Sequence, residues 1–253
     1  MKKIAIVTGA TGGLGKEFTK LLCEEQLDEI WAIARNPQRL QELHELLGEK
    51  VIPIRADVAT SEGMERISER LLQEKPIVNY LVNNAGLGKM GEYCDFTAEE
   101  VEQFVLINCK AVVLLSMCVI PYMEKGSHIL NVSSQASFQP TPYLNLYGAT
   151  KAFVTSYSRS LNVELKKQKI TVTAVCPGWV DTDLLKQEWN GQKIKFPGLV
   201  KAQPVVKKAL QDANKGKDMS VYSSYVKSLQ WFSKCMPHRF VMYTWVKRLK
   251  QYQ

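Results

Sequence analysis

Histidine is scarce in this chain, and its cysteines are dispersed. Three of the 253 residues are histidine and six are cysteine, and no two cysteines stand at C-x-x-C spacing. The histidines, at positions 44, 128 and 238, are far apart, so we predict no metal site. Some cysteines, such as Cys118 in LLSMCVI, lie in apolar runs. That setting favours buried free thiols in a cytoplasmic protein over disulfides.

Long apolar runs are lacking as well. No apolar run reaches the roughly 18 residues of a membrane-spanning helix. Met1-Lys2-Lys3 leads into a strand pattern without the apolar region of a signal peptide. Hydrophobic residues make up 45% of the chain and charged residues 23%. We find no repeat or linker, so the expectation is a single globular domain over residues 1–253.

Acidic residues are nearly missing from the last part of the chain. Residues 201–253 contain eleven Lys or Arg against Asp212 and Asp218, a net charge of +9 in a chain whose net charge is +8. The first 200 residues therefore sum to −1. Because the basic character belongs to this region alone, we predict no nucleic-acid partner.

Short apolar runs alternate with longer amphipathic stretches over the first 180 residues. This alternation predicts an α/β fold with a doubly wound parallel sheet, a Rossmann fold of about seven strands. Thr97 and Glu100 have the spacing of a helix capping box. The predicted strands are 3–8, 29–34, 51–56, 79–84, 128–133, 170–175 and 218–223, and the predicted helices are 13–25, 37–47, 61–73, 97–123 and 144–167.

A glycine-rich loop, TGATGGLG over residues 8–15, joins the first strand to the first helix. Such a loop lets the backbone approach a pyrophosphate, and the helix offers it free N–H groups. The loop fits two patterns, T-G-x-x-x-G-x-G through Gly13 and T-G-x-x-G-x-x-G through Gly12. Each pattern is typical of a different class of nucleotide-binding enzyme.

The end of the second strand indicates which dinucleotide this loop would bind. An NAD site usually has a carboxylate about 20 residues after the glycines, but this chain has Ala34 and then Arg35. A guanidinium suits a 2′-phosphate, which it can bind in a bidentate manner. Arg39 is a candidate second cation. We therefore predict NADP(H) as the cofactor.

Y-x-x-x-K occurs twice, at Tyr147–Lys151 and at Tyr243–Lys247. Only the first follows a strand and a polar loop, which places it at the carboxyl edge of the sheet. Residues four apart share a helix face, so the Lys151 ammonium can lie near the Tyr147 phenol and lower its pKa. Ser134 can stabilise a developing oxyanion, whereas strand alternation turns the neighbouring Ser133 to the other side.

With these motifs in order, residues 1–182 resemble the compact, single-domain branch of the short-chain dehydrogenase/reductase family. The resemblance rests on the glycine loop, Asp57-Val58, Asn83-Asn84-Ala85-Gly86, Asn108, Ser134, Tyr147, Lys151, Pro177-Gly178 and Thr182.

The resemblance implies roles for these residues. Asp57 would bind the adenine amino group, Asn108 would kink its helix and hold a water, and Lys151 would bind the nicotinamide ribose. The catalytic residues would be Asn108, Ser134, Tyr147 and Lys151. The cofactor-binding residues would be Gly9, Thr11, Gly13, Leu14, Gly15, Arg35, Asp57, Val58, Asn84, Ala85, Gly86, Tyr147, Lys151, Pro177, Gly178, Val180 and Thr182. The substrate-binding residues would be Ser134, Gln135, Tyr147, Trp179 and Leu184.

Departures from the family pattern are few. Family members often have glycine soon after the serine, whereas this chain has Gln135, Ala136 and Ser137, and Thr150 stands where serine is frequent before the lysine. Val154 occupies the position at which enoyl reductases have their lysine, which favours carbonyl chemistry. With NNAG at 83–86 and 71 residues after Thr182, the chain lacks the pattern and the room of the extended branch. Gly9, Gly13 and Gly15 are therefore the predicted functional triplet.

Residues 183–202 correspond to the mobile substrate lid of the family. Leu184, Leu185, Trp189 and Phe196 give this lid an apolar side, and Phe138 with residues 87–90 would supply further walls. We expect a lipophilic ketone or alcohol, such as a steroid, a fatty chain or an aromatic carbonyl.

The aromatic and basic extension at 223–253 has two interpretations. In the first, the segment forms a pair of helices around Pro237, with its aromatic residues packed on the body and its cations in water. In the second, the basic amphipathic helices lie on an anionic membrane surface. By resemblance, the helices at 97–123 and 144–167 would pair subunits into a homodimer or homotetramer.

Together these features favour an NADPH-dependent carbonyl reductase, reversible as an alcohol dehydrogenase, with a small-molecule substrate. Two alternatives stay open. One is a non-catalytic NADP(H)-binding sensor or scaffold with the same fold, and the other is an extended-type enzyme acting on nucleotide sugars.

Overall fold

The structure is a computed structural model. It describes residues 1–183, 185, 188–189, 192–193 and 196–249, with only the backbone at 188–189 and 192–193.

A seven-stranded sheet forms the centre of the molecule. Its strands are β1 (Lys3–Thr8), β2 (Glu29–Ala34), β3 (Val51–Arg55), β4 (Ile77–Asn83), β5 (His128–Val132), β6 (Thr171–Val175) and β9 (Met219–Ser220). They lie in the order β3-β2-β1-β4-β5-β6-β9, and all neighbouring strands pair in parallel. A separate antiparallel pair consists of β7 (Glu188–Trp189) and β8 (Gln192–Lys193).

The strand order reverses between β1 and β4, and this reversal creates the binding crevice of the fold. The next two strands along the chain, β2 and β3, lie on one side of β1, and β4, β5, β6 and β9 lie on the other. The loops that leave β1 and β4 therefore diverge at one edge of the sheet. Ligands bind to doubly wound sheets at this point.

Helices cover both faces of the sheet, as the near-continuous apolar strands predict. They are α1 (Gly13–Leu22), α2 (Pro37–Leu47), α3 (Ser61–Glu74), α4 (Ala98–Val105), α5 (Ala111–Val119), α6 (Asn145–Glu164), α7 (Ala202–Asn214), α8 (Ser224–Cys235) and α9 (His238–Leu249). Alternate residues of β1 enter opposite cores. Ala5 and Val7 pack with α1, α2 and α7, whereas Ile4 and Ile6 pack with α3, α5 and α6.

The predicted fold is confirmed, and most element boundaries agree within a few residues. The capping box of α4 forms, with the Thr97 hydroxyl accepting from Glu100 N at 3.2 Å and the Glu100 carboxylate accepting from Thr97 N at 3.1 Å. The last strand is shorter than predicted, since only Met219–Ser220 pairs with β6.

The helix predicted at 97–123 is a composite. A π-helical turn, Leu106–Lys110, joins α4 to α5. The whole span Ala98–Tyr122 is long and apolar enough to cross a membrane by length and composition, so the expectation that no apolar run reaches this length is wrong here. Half of its most apolar 18-residue stretch is buried in the protein, and Leu115 and Val119 belong to the core. It therefore has the properties of a core helix.

The six cysteines are free thiols. Cys176 is buried, whereas Cys118, for which the sequence favours burial, is half-buried. Among the described residues, no group of three or more His, Cys, Asp and Glu is arranged to hold a metal ion.

Candidate active site

Three glycines of the loop after β1 have steric reasons to be glycine, and Gly12 does not. Gly9 and Gly13 have φ of +62° and +42°, which L side chains rarely adopt. A Cβ on Gly15 would lie 2.1 Å from the Gly9 carbonyl oxygen, whereas a Cβ on Gly12 would meet nothing within 4 Å. The fold therefore requires glycine at the positions of the T-G-x-x-x-G-x-G pattern.

Asn84 joins this loop to the segment after β4. Its side-chain Nδ2 donates to the carbonyl oxygens of Thr8 and Gly9 at 3.0 and 3.1 Å. The Thr8 hydroxyl accepts in return from the backbone N–H groups of Asn84 and Ala85, at 3.0 and 3.1 Å. The two loops that diverge at the crevice are thus held together by hydrogen bonds.

A buried amide pair continues this connection across the sheet. Asn83 Nδ2 donates to Asn131 Oδ1 at 2.8 Å, and Asn131 Nδ2 donates to the Ser158 hydroxyl of α6 at 2.9 Å. Asn131 was not among the predicted residues. A polar side chain inside the apolar run HILNV is the sequence feature that could have identified it.

Arg35 and Arg39 lie at one end of the crevice, where both side chains are exposed. Neither guanidinium forms an ion pair with any described residue. Asn36 between them caps α2 by accepting from Arg39 N at 3.0 Å. Asp57 is close by, and its Oδ1 accepts from Ala59 N at 3.0 Å. Two unneutralised cations are therefore available to an anionic group at this end.

Tyr147 and Lys151 share one face of α6 beside Ser134, which follows β5. The Ser134 side chain lies beside the Tyr147 hydroxyl and acts to lower its pKa. Lys151 Nζ lies 5.7 Å from the centroid of the Tyr147 ring and donates to the Val132 carbonyl at 2.8 Å. The neighbouring Ser133 donates to the Lys151 carbonyl at 2.8 Å. It lines the same cavity as Ser134, so it is not turned to the opposite side as strand alternation predicts, because β5 ends at Val132.

Burial sets the pKa values in this group. It raises the pKa of Tyr147 above its usual value, although the Ser134 side chain acts in the opposite direction. Burial lowers the pKa of Lys151 from 10.5 to about 8. The expectation that Lys151 lowers the Tyr147 pKa is not met in this structure, because burial raises that pKa and the group that acts to lower it is Ser134.

Asn108 lies in the π-helical turn, and its side chain is buried behind the crevice. Its Oδ1 accepts from Leu87 N at 2.8 Å, while its Nδ2 donates to Leu87 O and to the Thr150 hydroxyl, both at 3.0 Å. The turn agrees with the predicted kink, and the bound water stays a prediction. Thr150 also donates to the Tyr147 carbonyl at 2.9 Å, a contact that the sequence did not indicate.

One cavity of about 1990 Å³ connects these features. Its wall contains every predicted site residue except Gly15 and Asn108, which lie behind it, and Leu184, which lies outside the described residues. Tyr243 and Lys247, the second Y-x-x-x-K match, do not line the cavity.

The C-terminal helices close the other end of the cavity. Trp245 stacks on Trp179 with 6.5 Å between ring centroids, and Trp179 contacts Phe196 at 4.7 Å. Phe232 and Val241 also line the cavity. The predicted helix pair around Pro237 is therefore confirmed, and part of it is cavity wall. Val241, Trp245 and Leu249 are spaced four residues apart, a periodicity that could have identified this face.

Comparison with known proteins identifies the family. The family described as "short chain dehydrogenase" matches residues 3–193. An uncharacterized oxidoreductase of Staphylococcus epidermidis is 30% identical over 207 residues, which cover 81% of this chain and 90% of the relative.

Solved structures agree. A short-chain dehydrogenase from Sphingobium yanoikuyae in complex with NADPH is 26% identical, with a TM-score of 0.79 over 92% of both chains. A 3-ketoacyl-(acyl-carrier-protein) reductase from Brucella melitensis complexed with NADH is 25% identical, with a TM-score of 0.75 over 87% of this chain and 95% of the other. The chain therefore belongs to the short-chain dehydrogenase/reductase family and is an oxidoreductase of that family.

Proposed function

We propose that this protein transfers hydride reversibly between NADP(H) and a lipophilic ketone or secondary alcohol. The observation that carries the proposal is the arrangement of one cavity. Ser134, Tyr147 and Lys151 lie in its wall together with the glycine loop at 8–15, and Arg35 stands at its far end. A carbonyl beside Tyr147 would be within reach of both a proton donor and the nicotinamide end of a cofactor on that loop.

The crevice suits a dinucleotide in shape and charge. The α1 N-terminus follows glycines whose replacement would bring a side chain against backbone or Thr182, so a pyrophosphate can approach the backbone closely. Similar proteins bind NADPH or NADH. Arg35 is exposed and forms no ion pair with a described residue, which favours the 2′-phosphate of NADP(H). Asp57, Val58 and residues 84–86 would hold the adenine and ribose, and residues 177–182 would hold the carboxamide.

When bound, the nicotinamide supplies the hydride that the carbonyl carbon accepts. Tyr147 donates a proton to the carbonyl oxygen, and its raised pKa keeps the phenol protonated at neutral pH. Ser134 donates a hydrogen bond to the same oxygen as negative charge develops. Lys151 would hold the ribose hydroxyls, and with a pKa of about 8 it can exchange a proton near neutral pH.

The substrate end combines apolar walls with one buried acceptor. Leu229, Phe232, Val241 and Trp245 surround it with apolar area, which favours a lipophilic carbonyl over a sugar. Gln135 Oε1 is buried beside Gly178 and has no hydrogen-bond partner among the described residues. Since an unsatisfied buried acceptor is costly, we propose that it accepts a hydrogen bond from a hydroxyl or N–H of the ligand.

Residues 183–202 are proposed as the lid of this cavity. Leu185 and Phe196 line it, while Leu184 and the side chain of Trp189 lie outside the described residues. Exposed apolar side chains on α4, α5 and α6 support a proposed homo-oligomer through these helices. They are Val101, Val105, Leu114, Met117, Phe153 and Val163.

A panel of ketones and alcohols, followed by NADPH and NADH absorbance, tests the proposal. We expect turnover of bulky apolar ketones with NADPH, and turnover of hydroxylated ketones that depends on Gln135. The variant Gln135→Leu should raise the KM of a hydroxyketone more than that of the matched ketone without the hydroxyl. Turnover confined to small polar carbonyls or sugars would contradict the proposed substrate class.

A further inference from the structure

The last two helices carry an uncompensated positive charge. Residues 219–253 contain six Lys or Arg and no Asp or Glu. The described cations among them are Lys227, Lys234, Arg239, Lys247 and Arg248. All of these are exposed, and none forms an ion pair with a described residue. By contrast, Lys208 and Lys217 of the preceding segment both pair with Asp212.

Large aromatic side chains stand among these cations. Trp231 is 70% exposed and Tyr243 is 65% exposed. On α8, Lys227, Trp231 and Lys234 follow one another at spacings of four and three residues, so they share one helix face.

Helix α9 repeats the arrangement. Phe240, which is 46% exposed, is followed at the same helical spacings by Tyr243 and Lys247. We call these two exposed faces, of α8 and of α9, the basic aromatic surface.

This surface belongs to a folded hairpin that is held on the body. Val226 of α8 and Val241 of α9 are buried, and the ring of Phe232 contacts that of Phe240 with 6.2 Å between centroids. Trp245 donates to the Pro142 carbonyl at 2.8 Å. The inner faces therefore pack on the protein, while Trp231 and Tyr243 on the outer faces stay in water.

We propose that the basic aromatic surface docks the protein on an anionic lipid membrane. Each Lys or Arg near such a surface raises the partition coefficient about five-fold. Aromatic side chains favour the boundary between headgroups and acyl chains. A nucleic-acid footprint fits less well, because the basic character stops at these helices and residues 1–200 sum to −1.

The mouth of the cavity lies at the same place. Trp231 and Arg248, one from each helix, line the cavity and are exposed, so they form part of its rim. Docking would turn this opening towards lipid, and a lipophilic carbonyl could pass into the cavity without crossing water. This consequence rests on the proposed function, whereas docking itself requires no catalysis.

Co-sedimentation of the full chain with vesicles tests the proposal without substrate or turnover. We expect binding to vesicles of equal parts phosphatidylglycerol and phosphatidylcholine, weakened by salt, and little binding to phosphatidylcholine alone. The double variant Lys227→Glu/Lys234→Glu should lower the partition coefficient by at least about 20-fold, since each cation contributes about five-fold.

The matched control is Lys166→Glu/Lys167→Glu, which changes the net charge equally. Both lysines are exposed and lie just before β6, at the amino edge of the sheet, away from the cavity. We expect this control to bind almost as the unmodified chain does. Equal losses of vesicle binding in the two double variants would overturn the proposal, and so would binding to neutral vesicles that neither double variant weakens.

Trp231 provides a second measurement. Mixed vesicles should shift the tryptophan fluorescence to shorter wavelength, and Trp231→Phe should remove most of that shift while circular dichroism shows an intact fold. If single-stranded DNA or heparin binds through Lys227 and Lys234 while mixed vesicles do not bind, the surface recognises another polyanion, and the membrane proposal is wrong.

Discussion

Trp245 Nε1 donates a hydrogen bond to the carbonyl oxygen of Pro142 at 2.8 Å. This contact joins the last helix of the chain to the loop between Ser134 and Tyr147. The Trp245 ring also stacks on Trp179, so one side chain links three segments of the cavity wall. The extension is therefore part of the candidate active site as well as a surface.

Replacement of this indole donor should alter the substrate end of the cavity. Trp245→Phe keeps an aromatic ring and removes the hydrogen bond, which should cost about 1 kcal/mol of folding free energy and lower Tm by roughly 2–4 °C. We expect a higher KM for bulky ketones and an unchanged KM for the cofactor. The control is Tyr243→Phe on the outer face of α9, which should change neither Tm nor the KM for bulky ketones.

Tyr147 should be essential for turnover and dispensable for folding. Removal of a general acid typically costs about 10²–10⁴-fold in rate, so Tyr147→Phe should lower kcat by that amount. Nucleotide affinity, measured by fluorescence titration, should stay nearly the same. Substantial remaining activity would refute the assignment, and normal cofactor binding without activity in the unmodified protein would favour the sensor alternative.

Arg35 should determine the choice between NADPH and NADH. A charge-assisted bidentate contact contributes about 1.5–3 kcal/mol, so Arg35→Ser should raise the KM for NADPH by roughly 10- to 100-fold. The KM for NADH should change little, because NADH lacks the 2′-phosphate. Arg39→Ser is the matched control, with a smaller effect. An equal loss for both cofactors would contradict the assigned role.

The buried Lys151 predicts a defined pH dependence of stability. Its folded pKa of about 8 lies below the ordinary 10.5, so below pH 8 both states are protonated and the cost of burying the charge is present in full. Between pH 8 and 10.5 the unfolded chain binds more protons, and stability from this group rises with pH.

Lys151→Met removes this ionisation. The free energy of unfolding of this variant, minus that of the unmodified chain, should therefore fall by about 3 kcal/mol between pH 8 and 10.5. Urea unfolding of both proteins at several pH values measures this difference. The same measurement on the exposed Lys166→Met should show no such trend. A difference that does not vary with pH would mean that the ammonium is not desolvated.

The glycine loop offers a test of the two sequence patterns. Gly15→Ala forces a Cβ against the Gly9 carbonyl and should destabilise the chain by about 3 kcal/mol or more. Gly12→Ala meets no protein atom and should cost less than about 1 kcal/mol, the usual range for a helix N-cap. Urea unfolding without nucleotide measures the free energy of unfolding of both variants. Equal losses would contradict the conclusion that the fold requires glycine at position 15 but not at position 12.

Much of the fold and of the candidate site follows from local sequence. The near-continuous apolar runs of β1 to β6 predict a parallel sheet, because a strand that is buried on both faces needs such a run. Tyr147 and Lys151 are four residues apart on one helix, so their shared face follows from helix geometry alone. Positions with positive φ or close backbone contact require glycine, and this makes the loop at 8–15 recognisable.

Tertiary packing decided the rest. The contact between Trp245 and Pro142 joins residues 103 positions apart, and Asn108 reaches both Leu87 and Thr150. Periodicity gives the face of a helix but not the element on which that face packs. The direction of the Tyr147 pKa shift was likewise beyond the sequence, because desolvation depends on every atom around the phenol and not on the lysine one turn away.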